Sequence, residues 1–198
     1  MTDDTRWHPG SVQRSDRQRL LGGIGLTVWL TGFSGSGKST IAFETERRLI
    51  ASGRAAYVLD GDNLRHGLNG DLGFSAEDRS ENVRRVGEVA RLMADAGLVV
   101  LVPIISPYRN DRRRVQDAHR DAAIPFLEVH ISTPLEECER RDPKGLYAKA
   151  RSGALTGFTG IDDPYDVPED PDIVLNAADQ DLNTCVTRLI DRLPIVEV

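Results

Sequence analysis

The sequence is poor in several features that define whole classes of protein. It has only two cysteines, Cys138 and Cys185, and their separation matches neither a zinc site nor a paired redox motif. The four histidines are scattered, so we expect no metal cluster built from them. No apolar run approaches the ~20 residues of a membrane helix, and the polar N-terminus is unlike a secretory signal. We therefore expect a cytoplasmic protein with reduced thiols and no membrane segment.

Positive charge is also scarce. The formal net charge is −6, which argues against general binding of nucleic acid. Only three of the 25 basic residues are lysine, namely Lys38, Lys144 and Lys149, and a GC-rich genome is the simplest explanation for so much arginine. Lys38 nevertheless stands in a glycine-rich loop, where a compact ammonium on a flexible stem suits a phosphate group.

The loop around Lys38 is the strongest motif in the chain. Residues 32–39 read GFSGSGKS and fit G-x-x-x-x-G-K-[ST], in which backbone N–H groups surround a phosphate and the lysine neutralises it. An apolar strand at 26–31 precedes the loop, and a helical pattern follows it, as the motif requires. The sequence therefore predicts an ATP site formed by Gly32, Phe33, Ser34, Gly35, Ser36, Gly37, Lys38, Ser39 and Thr40.

The rest of the chain alternates between strand and helix patterns about five times. This alternation predicts a three-layer α/β fold with a five-stranded parallel sheet. Taken with the phosphate loop, it indicates the P-loop NTPase/kinase fold. We expect an N-terminal arm at 1–25 and one kinase domain at 26–198, including a lid at about 141–170 whose glycines allow closure. The predicted strands are 26–31, 55–59, 98–105, 124–131 and 172–175, and the predicted helices include 76–96 and 180–193.

Polar residues follow the predicted strands at the edge where parallel sheets bind ligands. Asp60 and Asp62 come directly after the second strand, and such carboxylates can hold Mg²⁺ or accept a proton from an attacking hydroxyl. Arg109 follows the third strand closely enough to reach an anion. Arg79 and Asn82 lie three residues apart at the start of a helix and therefore share one face.

With these stretches identified, the sequence resembles the adenylylsulfate kinase (APS kinase) family over roughly residues 7–176. Members of that family make 3′-phosphoadenylylsulfate from ATP and adenosine 5′-phosphosulfate. Phe33 and Ser36 depart slightly from the usual family pattern without removing a backbone donor. Besides the phosphate loop, the resemblance rests on Trp7-His8, DGDNLR (60–65), DLGF (71–74), DRSENVRR (78–85), ISPYR (105–109), RDPKGLY (141–147) and FTGID (158–162).

The resemblance implies roles for individual residues. It implies that Phe74 and Phe158 stack on the adenine of the phosphosulfate; because both stand in glycine-bearing polar loops, we expect neither in a core. Arg141 is implied to contact ATP. Mg²⁺ is expected at Ser39 and Asp60. The implied phosphosulfate-binding residues are Asp62, Arg65, Phe74, Arg79, Asn82, Ile105, Ser106, Arg109, Lys144 and Phe158.

The expected mechanism is direct transfer of the γ-phosphoryl group of ATP to the 3′-hydroxyl of the phosphosulfate. Lys38 would stabilise the moving charge, and Asp62 is the candidate base, with Asp60 nearer the metal; that division between the aspartates stays open. The family has been described with a phosphoserine at the position of Ser106, which would imply a double displacement. The resemblance also implies a homodimer and allows an ATP sulfurylase as a partner or fused domain.

Three other functions compete with this interpretation. A kinase for another small hydroxyl-bearing substrate could use the same scaffold, although the two phenylalanine loops favour an adenine-bearing dianion. A GTP-dependent switch needs a guanine-reading Asn-Lys-x-Asp, and none of the three lysines follows an asparagine. A silent sensor of the phosphosulfate would not need Lys38, Ser39, Asp60 and Asp62 together.

Overall fold

The computed structural model describes residues 6, 8 and 10–194, so the expectation for Trp7 lies outside the described residues. The elements follow one another as α1 (Arg14–Leu20), β1 (Leu26–Thr31), α2 (Lys38–Ala51), β2 (Ala56–Val58), α3 (Gly61–Leu64), α4 (Ala76–Asp95), β3 (Val99–Pro103), α5 (Arg109–Asp121), β4 (Phe126–Ile131), α6 (Leu135–Arg141), α7 (Leu146–Arg151), β5 (Ile173–Leu175) and α8 (Leu182–Ile190).

All five strands form one parallel sheet in the order β2-β3-β1-β4-β5. The first strand is therefore central, with β3 on one side and β4 on the other. Leu30 pairs with Pro103, which places the segments that follow β1 and β3 side by side at the carboxyl edge. This arrangement confirms the predicted fold class and creates the switch point at which open α/β sheets bind ligands.

Two apolar clusters cover the two faces of the sheet, and this explains the three layers. Leu26, Val28 and Leu30 of β1 belong to the cluster that includes α2 and α8. Trp29 points the opposite way into the cluster with α4 and α5. Because β1 is buried on both faces, its sequence is apolar along most of its length rather than alternating.

The ends of the elements differ from the predictions by a few residues. The strand predicted at 124–131 begins at Phe126, because residues 122–123 form the turn that follows α5, where Ala123 has a φ of +51°. The helix predicted at 180–193 covers only Leu182–Ile190, since the Asp181 carboxylate caps it by accepting from the Thr184 N–H. The Ser75 hydroxyl caps α4, accepting from the Asp78 N–H at 3.1 Å.

The N-terminal segment contributes one short helix, α1, which packs on the domain. Arg14 of α1 bonds the Asp95 carboxylate at 2.7 Å and the carbonyls of Ala122 and Ala123 at 2.8 Å each. These contacts tie α1 to the ends of α4 and α5, away from the phosphate loop. Across the part of the chain that the structure describes, every helix is too short or too polar to cross a bilayer.

Candidate active site

The phosphate loop links β1 to α2 and depends on glycine at defined positions. Gly37 is the residue before α2 and has a φ of +104°, which glycine adopts without the strain of a side chain. At Gly32 a β-carbon would lie 2.6 Å from the carbonyl oxygen of Ile131, so the loop can lie against β4 only without one. Backbone N–H groups and the N-terminus of α2 thereby face the same point.

Lys38 lies within the loop that it is expected to serve. The residue is 7% exposed, and its ammonium donates to the carbonyl oxygens of Gly32 at 2.9 Å and Phe33 at 2.6 Å. Burial lowers the pKa of Lys38 to about 8, because desolvation penalises the charged form. A phosphate in the loop would supply the negative charge that these neutral carbonyls lack.

Ser39 and Asp60 form the pair expected to hold the metal. The Ser39 hydroxyl donates to Asp60 Oδ2 at 2.7 Å, while Asp60 Oδ1 accepts from the backbone N–H groups of Asp62 and Asn63. The carboxylate is thus fixed at the start of α3 beside the phosphate loop. A hydroxyl and a carboxylate oxygen are the hard donors that Mg²⁺ prefers, so the chemistry of these two residues fits a magnesium ion, which would neutralise phosphate charge there.

Asp62 and Lys144 meet across the cleft. Both side chains are more than half exposed, and they form an ion pair between α3 and the segment connecting α6 to α7. The predicted base is therefore in contact with the predicted lid. An exposed pair of this kind contributes little to stability, so it leaves both groups able to change partner when substrates bind.

The loop after α3 presents one of the two predicted phenylalanines to solvent. Phe74 is 66% exposed, and the guanidinium of Arg65 lies 4.2 Å from its ring centre. Arg65 is held there because it donates to the carbonyls of Leu72 and Gly73. An aromatic face that already accepts a flat, cationic group is suited to stacking on a base.

The second phenylalanine contradicts the expectation that it lies outside a core. Phe158 is 7% exposed and belongs to a small cluster with Cys138, Tyr147 and Ala150. Its ring meets Tyr147 edge-to-face with centroids 4.9 Å apart. The loop turns inward because the Asp162 carboxylate accepts from the N–H groups of Gly157 and Phe158, an arrangement that a polar, glycine-bearing sequence does not reveal.

Arg79 and Asn82 lie on one face of α4, as their spacing predicts, but face different partners. Arg79 donates to the Phe74 carbonyl at 2.9 Å and reaches the loop that carries Phe158. Asn82 is buried and accepts from the side chain of Asn69 at 2.9 Å.

Ile105 and Ser106, in the segment after β3, lie against β1, the strand that leads into the phosphate loop, whereas Arg109 begins α5. The Ile105 carbonyl accepts from the Thr31 hydroxyl at 2.7 Å. Ser106 has a φ of +41° and is 3% exposed, and its Oγ accepts from the Trp29 indole N–H at 3.0 Å. Arg109 forms an ion pair with Glu169 at 2.5 Å. Its partner in this structure is therefore a carboxylate of the predicted lid.

Arg141 lies at the end of α6, on the other side of the phosphate loop. Its guanidinium donates to Glu137 and to the Ala177 carbonyl, both at 2.7 Å. Ala177 in turn lies beside Gly37 of the phosphate loop, since a β-carbon added to Gly37 would be 3.4 Å from the Ala177 side chain. Arg141 is therefore next to the phosphate loop, as an ATP contact requires.

Sequence reasoning did not identify several residues that hold the site together. The Tyr147 hydroxyl donates to the Ser34 carbonyl at 2.9 Å, and Tyr165 contacts Thr31 and the Phe33 ring. Asp163 bonds Arg79 and the Tyr108 hydroxyl. A cavity of about 360 Å³ opens beside this group, between Phe33 and residues 160–165. These contacts join segments far apart in the chain, and no local spacing signals them.

The parallel sheet, the phosphate loop and the Ser39–Asp60 pair together define a P-loop phosphotransferase. The family model described as adenylylsulphate kinase matches residues 24–176. The chain belongs to the adenylylsulfate kinase family.

Relatives support this assignment over most of the chain. An adenylyl-sulfate kinase of Yersinia pestis is 55% identical over 187 residues, covering 94% of this chain and 84% of the relative. A bifunctional enzyme CysN/CysC of Mycobacterium tuberculosis (strain H37Rv) is 57% identical over 169 residues, which cover 85% of this chain and 27% of that enzyme. The solved structure of the M. tuberculosis APS kinase CysC in complex with AMPPNP and APS is 57% identical, has a TM-score of 0.82, and is matched over 84% of this chain and 96% of its own.

Proposed function

We propose that this protein transfers the γ-phosphoryl group of ATP to the 3′-hydroxyl of adenosine 5′-phosphosulfate, giving 3′-phosphoadenylylsulfate and ADP. The observation that carries the proposal is the juxtaposition, at one sheet edge, of a complete phosphate loop and an acceptor side rich in arginine and phenylalanine. The first binds a nucleoside triphosphate, and the second suits an anion that carries an aromatic base.

On the ATP side, the chain's own groups position and neutralise the phosphates. Lys38 would exchange its loop carbonyls for β- and γ-phosphate oxygens, and the N-terminus of α2 would face the same charge. Arg141 would lie beside the bound nucleotide. Ser39 and Asp60 would hold Mg²⁺, which neutralises charge on the transferred group when bound.

On the acceptor side, we propose that Asp62 orients or deprotonates the 3′-hydroxyl. Its release from Lys144 would free the carboxylate as the lysine turns towards bound substrate. Arg65 and Arg109 would contact the phosphosulfate, since guanidinium groups form strong charge-assisted bonds with such anions. Phe74 and Phe158 would enclose the adenine, and Arg79, Asn82 and the Ile105–Ser106 segment would complete the acceptor site.

Direct transfer is favoured over a phosphoserine intermediate at Ser106. The Ser106 hydroxyl is buried and bonded to Trp29, and in-line transfer requires only that the two substrates be aligned. A double displacement would give parallel lines in initial-rate plots against the second substrate. Intersecting lines are expected here.

The decisive experiment measures ADP formation from Mg·ATP with adenosine 5′-phosphosulfate, beside reactions offered AMP, GMP or no acceptor. Strong stimulation by the phosphosulfate alone is the expected result. Stimulation by a different acceptor would support kinase activity but contradict adenosine 5′-phosphosulfate as the acceptor. Tight ATP binding without stimulation by any acceptor would favour a silent sensor instead.

We also propose that the enzyme acts in the cytoplasm as a homodimer and that an ATP sulfurylase, as a separate partner or a fused domain, supplies its substrate. The fused arrangement is suggested by the bifunctional mycobacterial relative, of which this chain matches about a quarter. Light scattering of the purified protein measures the oligomeric state, and a single subunit mass would contradict the dimer.

A further inference from the structure

Arg79 is almost fully occupied by the protein itself. A guanidinium has five N–H donors, and four of those of Arg79 already have protein acceptors. They are the Phe74 carbonyl, the Gly157 carbonyl, the Thr159 hydroxyl and the Asp163 carboxylate. The side chain is 12% exposed. Bidentate binding of a substrate anion would therefore require Arg79 to lose some of its contacts within the protein.

The acceptors of Arg79 lie on two different loops. Phe74 belongs to the loop before α4, whereas Gly157 and Thr159 flank Phe158 in the loop before β5. One rigid guanidinium thus joins the backbone at the first phenylalanine to the Gly157 carbonyl and the Thr159 side chain, which lie on either side of the second. Because the guanidinium is planar and its donors have fixed directions, it sets the distance between the two loops.

Asp163 supplies the countercharge that keeps Arg79 in this position. Its Oδ2 lies 3.2 Å from the Arg79 guanidinium, and the Asp163 side chain is 18% exposed. The Tyr108 hydroxyl donates to the same carboxylate at 3.1 Å, which anchors it to the segment after β3. Burial raises the pKa of Tyr108, and the bond to the Asp163 carboxylate raises it further, as expected where the phenol faces a negative charge.

We propose that Asp163 is a positioning residue for the acceptor: through Arg79 it fixes the spacing between the Phe74 loop and the Phe158 loop, and so shapes the slot for the adenine. The inference rests on the proposed function and adds a residue that touches no substrate. It assigns Arg79 to bracing the slot and leaves for a ligand the one N–H that meets no acceptor among the residues that the structure describes.

The kinetic test compares Asp163→Asn with Asp170→Asn, the same change at an exposed aspartate of the same segment. Asparagine keeps the shape and an acceptor oxygen but removes the charge. Asp163→Asn should raise KM for adenosine 5′-phosphosulfate about tenfold, the loss typical of one charge-assisted hydrogen bond, while KM for ATP changes less than about twofold. Tyr108→Phe should give a smaller shift in the same direction, and Asp170→Asn none. Equal effects on both substrates would overturn the proposal.

A double-mutant cycle with Phe158→Ala separates positioning from a direct substrate contact. If Asp163 acts through the placement of Phe158, then Asp163→Asn should add little once the ring is gone, because coupled residues are non-additive. Full additivity of the two effects on KM for the phosphosulfate would contradict the proposed brace.

Amide hydrogen exchange tests the brace without any substrate and so remains decisive even if the acceptor is another molecule. Asp163→Asn should speed exchange both at residues 157–160 and, across the cleft, at residues 73–75, while α2 is unchanged. Faster exchange confined to residues 157–163 would show that the two loops are not joined through Arg79. If the wild-type protein shows no turnover with adenosine 5′-phosphosulfate, the proposed function is refuted, whatever the exchange experiment shows.

Discussion

The two halves of the site are built on different physical principles. The ATP half is made largely of backbone: glycines, the N-terminus of α2, and one lysine held by carbonyls of its own loop. The acceptor half is made of side chains from α3, α4, the segment after β3 and the lid region. A site made of backbone groups requires consecutive residues with a defined sequence. A site made of side chains requires only that segments distant in the chain come together in the fold. The two halves should therefore respond differently to substitution.

The largest effect is expected in the ATP half. Lys38→Ala removes the positive charge at the phosphates, and we expect kcat to fall by about 10²–10³, the loss typical of a preorganised electrostatic group. KM for the phosphosulfate should change little. Lys149→Ala, at an exposed lysine, is the control and should retain full activity. Steady-state assays decide the point, and a Lys38→Ala enzyme with more than a tenth of the wild-type kcat would contradict the assigned role.

The next effect tests the proposed base between the halves. Asp62→Asn keeps the size of the side chain but removes its ability to accept a proton, and general bases contribute roughly 10²–10⁴ to rate. We expect a fall in turnover of about 100-fold with ATP affinity nearly intact, measured by calorimetry with a non-hydrolysable analogue. Lys144→Ala breaks the same ion pair from the other side and is the matched control. An equal loss in both variants would indicate that the pair itself matters, rather than the carboxylate.

The contrast between the halves also explains what the sequence could predict. The phosphate loop could be predicted from the eight consecutive residues 32–39. The parallel sheet could be predicted from the alternation of apolar strands with helices. The carboxyl-edge positions of Asp60 and Asp62 followed from the general rule for parallel sheets. These features are local or topological, and local pattern suffices for them.

The acceptor half was only partly predictable, for the opposite reason. Resemblance singled out Phe158, but its burial against Tyr147 depends on α7 and on Asp162, which folds the loop inward. Asp163 stood in a stretch that composition marks only as a turn-rich loop, and its partners Arg79 and Tyr108 are 84 and 55 residues away. Such contacts are products of the tertiary fold, and no periodicity records them.

The two phenylalanines offer a direct comparison within the acceptor half. Phe158→Ala should lower the free energy of unfolding by about 3 kcal/mol, because a buried ring leaves a cavity. Phe74→Ala should cost less than about 0.5 kcal/mol, because that ring is exposed. Both should raise KM for the phosphosulfate and leave KM for ATP unchanged. Urea unfolding beside steady-state kinetics separates the two effects; equal stability losses would contradict the assigned burial.

The smallest expected effect concerns the residue that joins the halves. The Tyr147 hydroxyl holds the Ser34 carbonyl of the phosphate loop, while its ring supports Phe158. Tyr147→Phe removes the first contact and keeps the second, so we expect KM for ATP to rise about two- to fivefold, corresponding to roughly 1 kcal/mol for a neutral hydrogen bond, with KM for the phosphosulfate unchanged.

Tyr147→Leu removes both contacts of the same residue and completes the comparison. It should raise KM for both substrates, because the edge of the ring no longer supports Phe158 while the loop carbonyl also loses its donor. If Tyr147→Phe already affected both substrates equally, the phosphate loop and the phenylalanine loop would behave as one mechanical unit. The hydroxyl and the ring can therefore be assigned to separate halves only if the two variants differ in their effect on the acceptor.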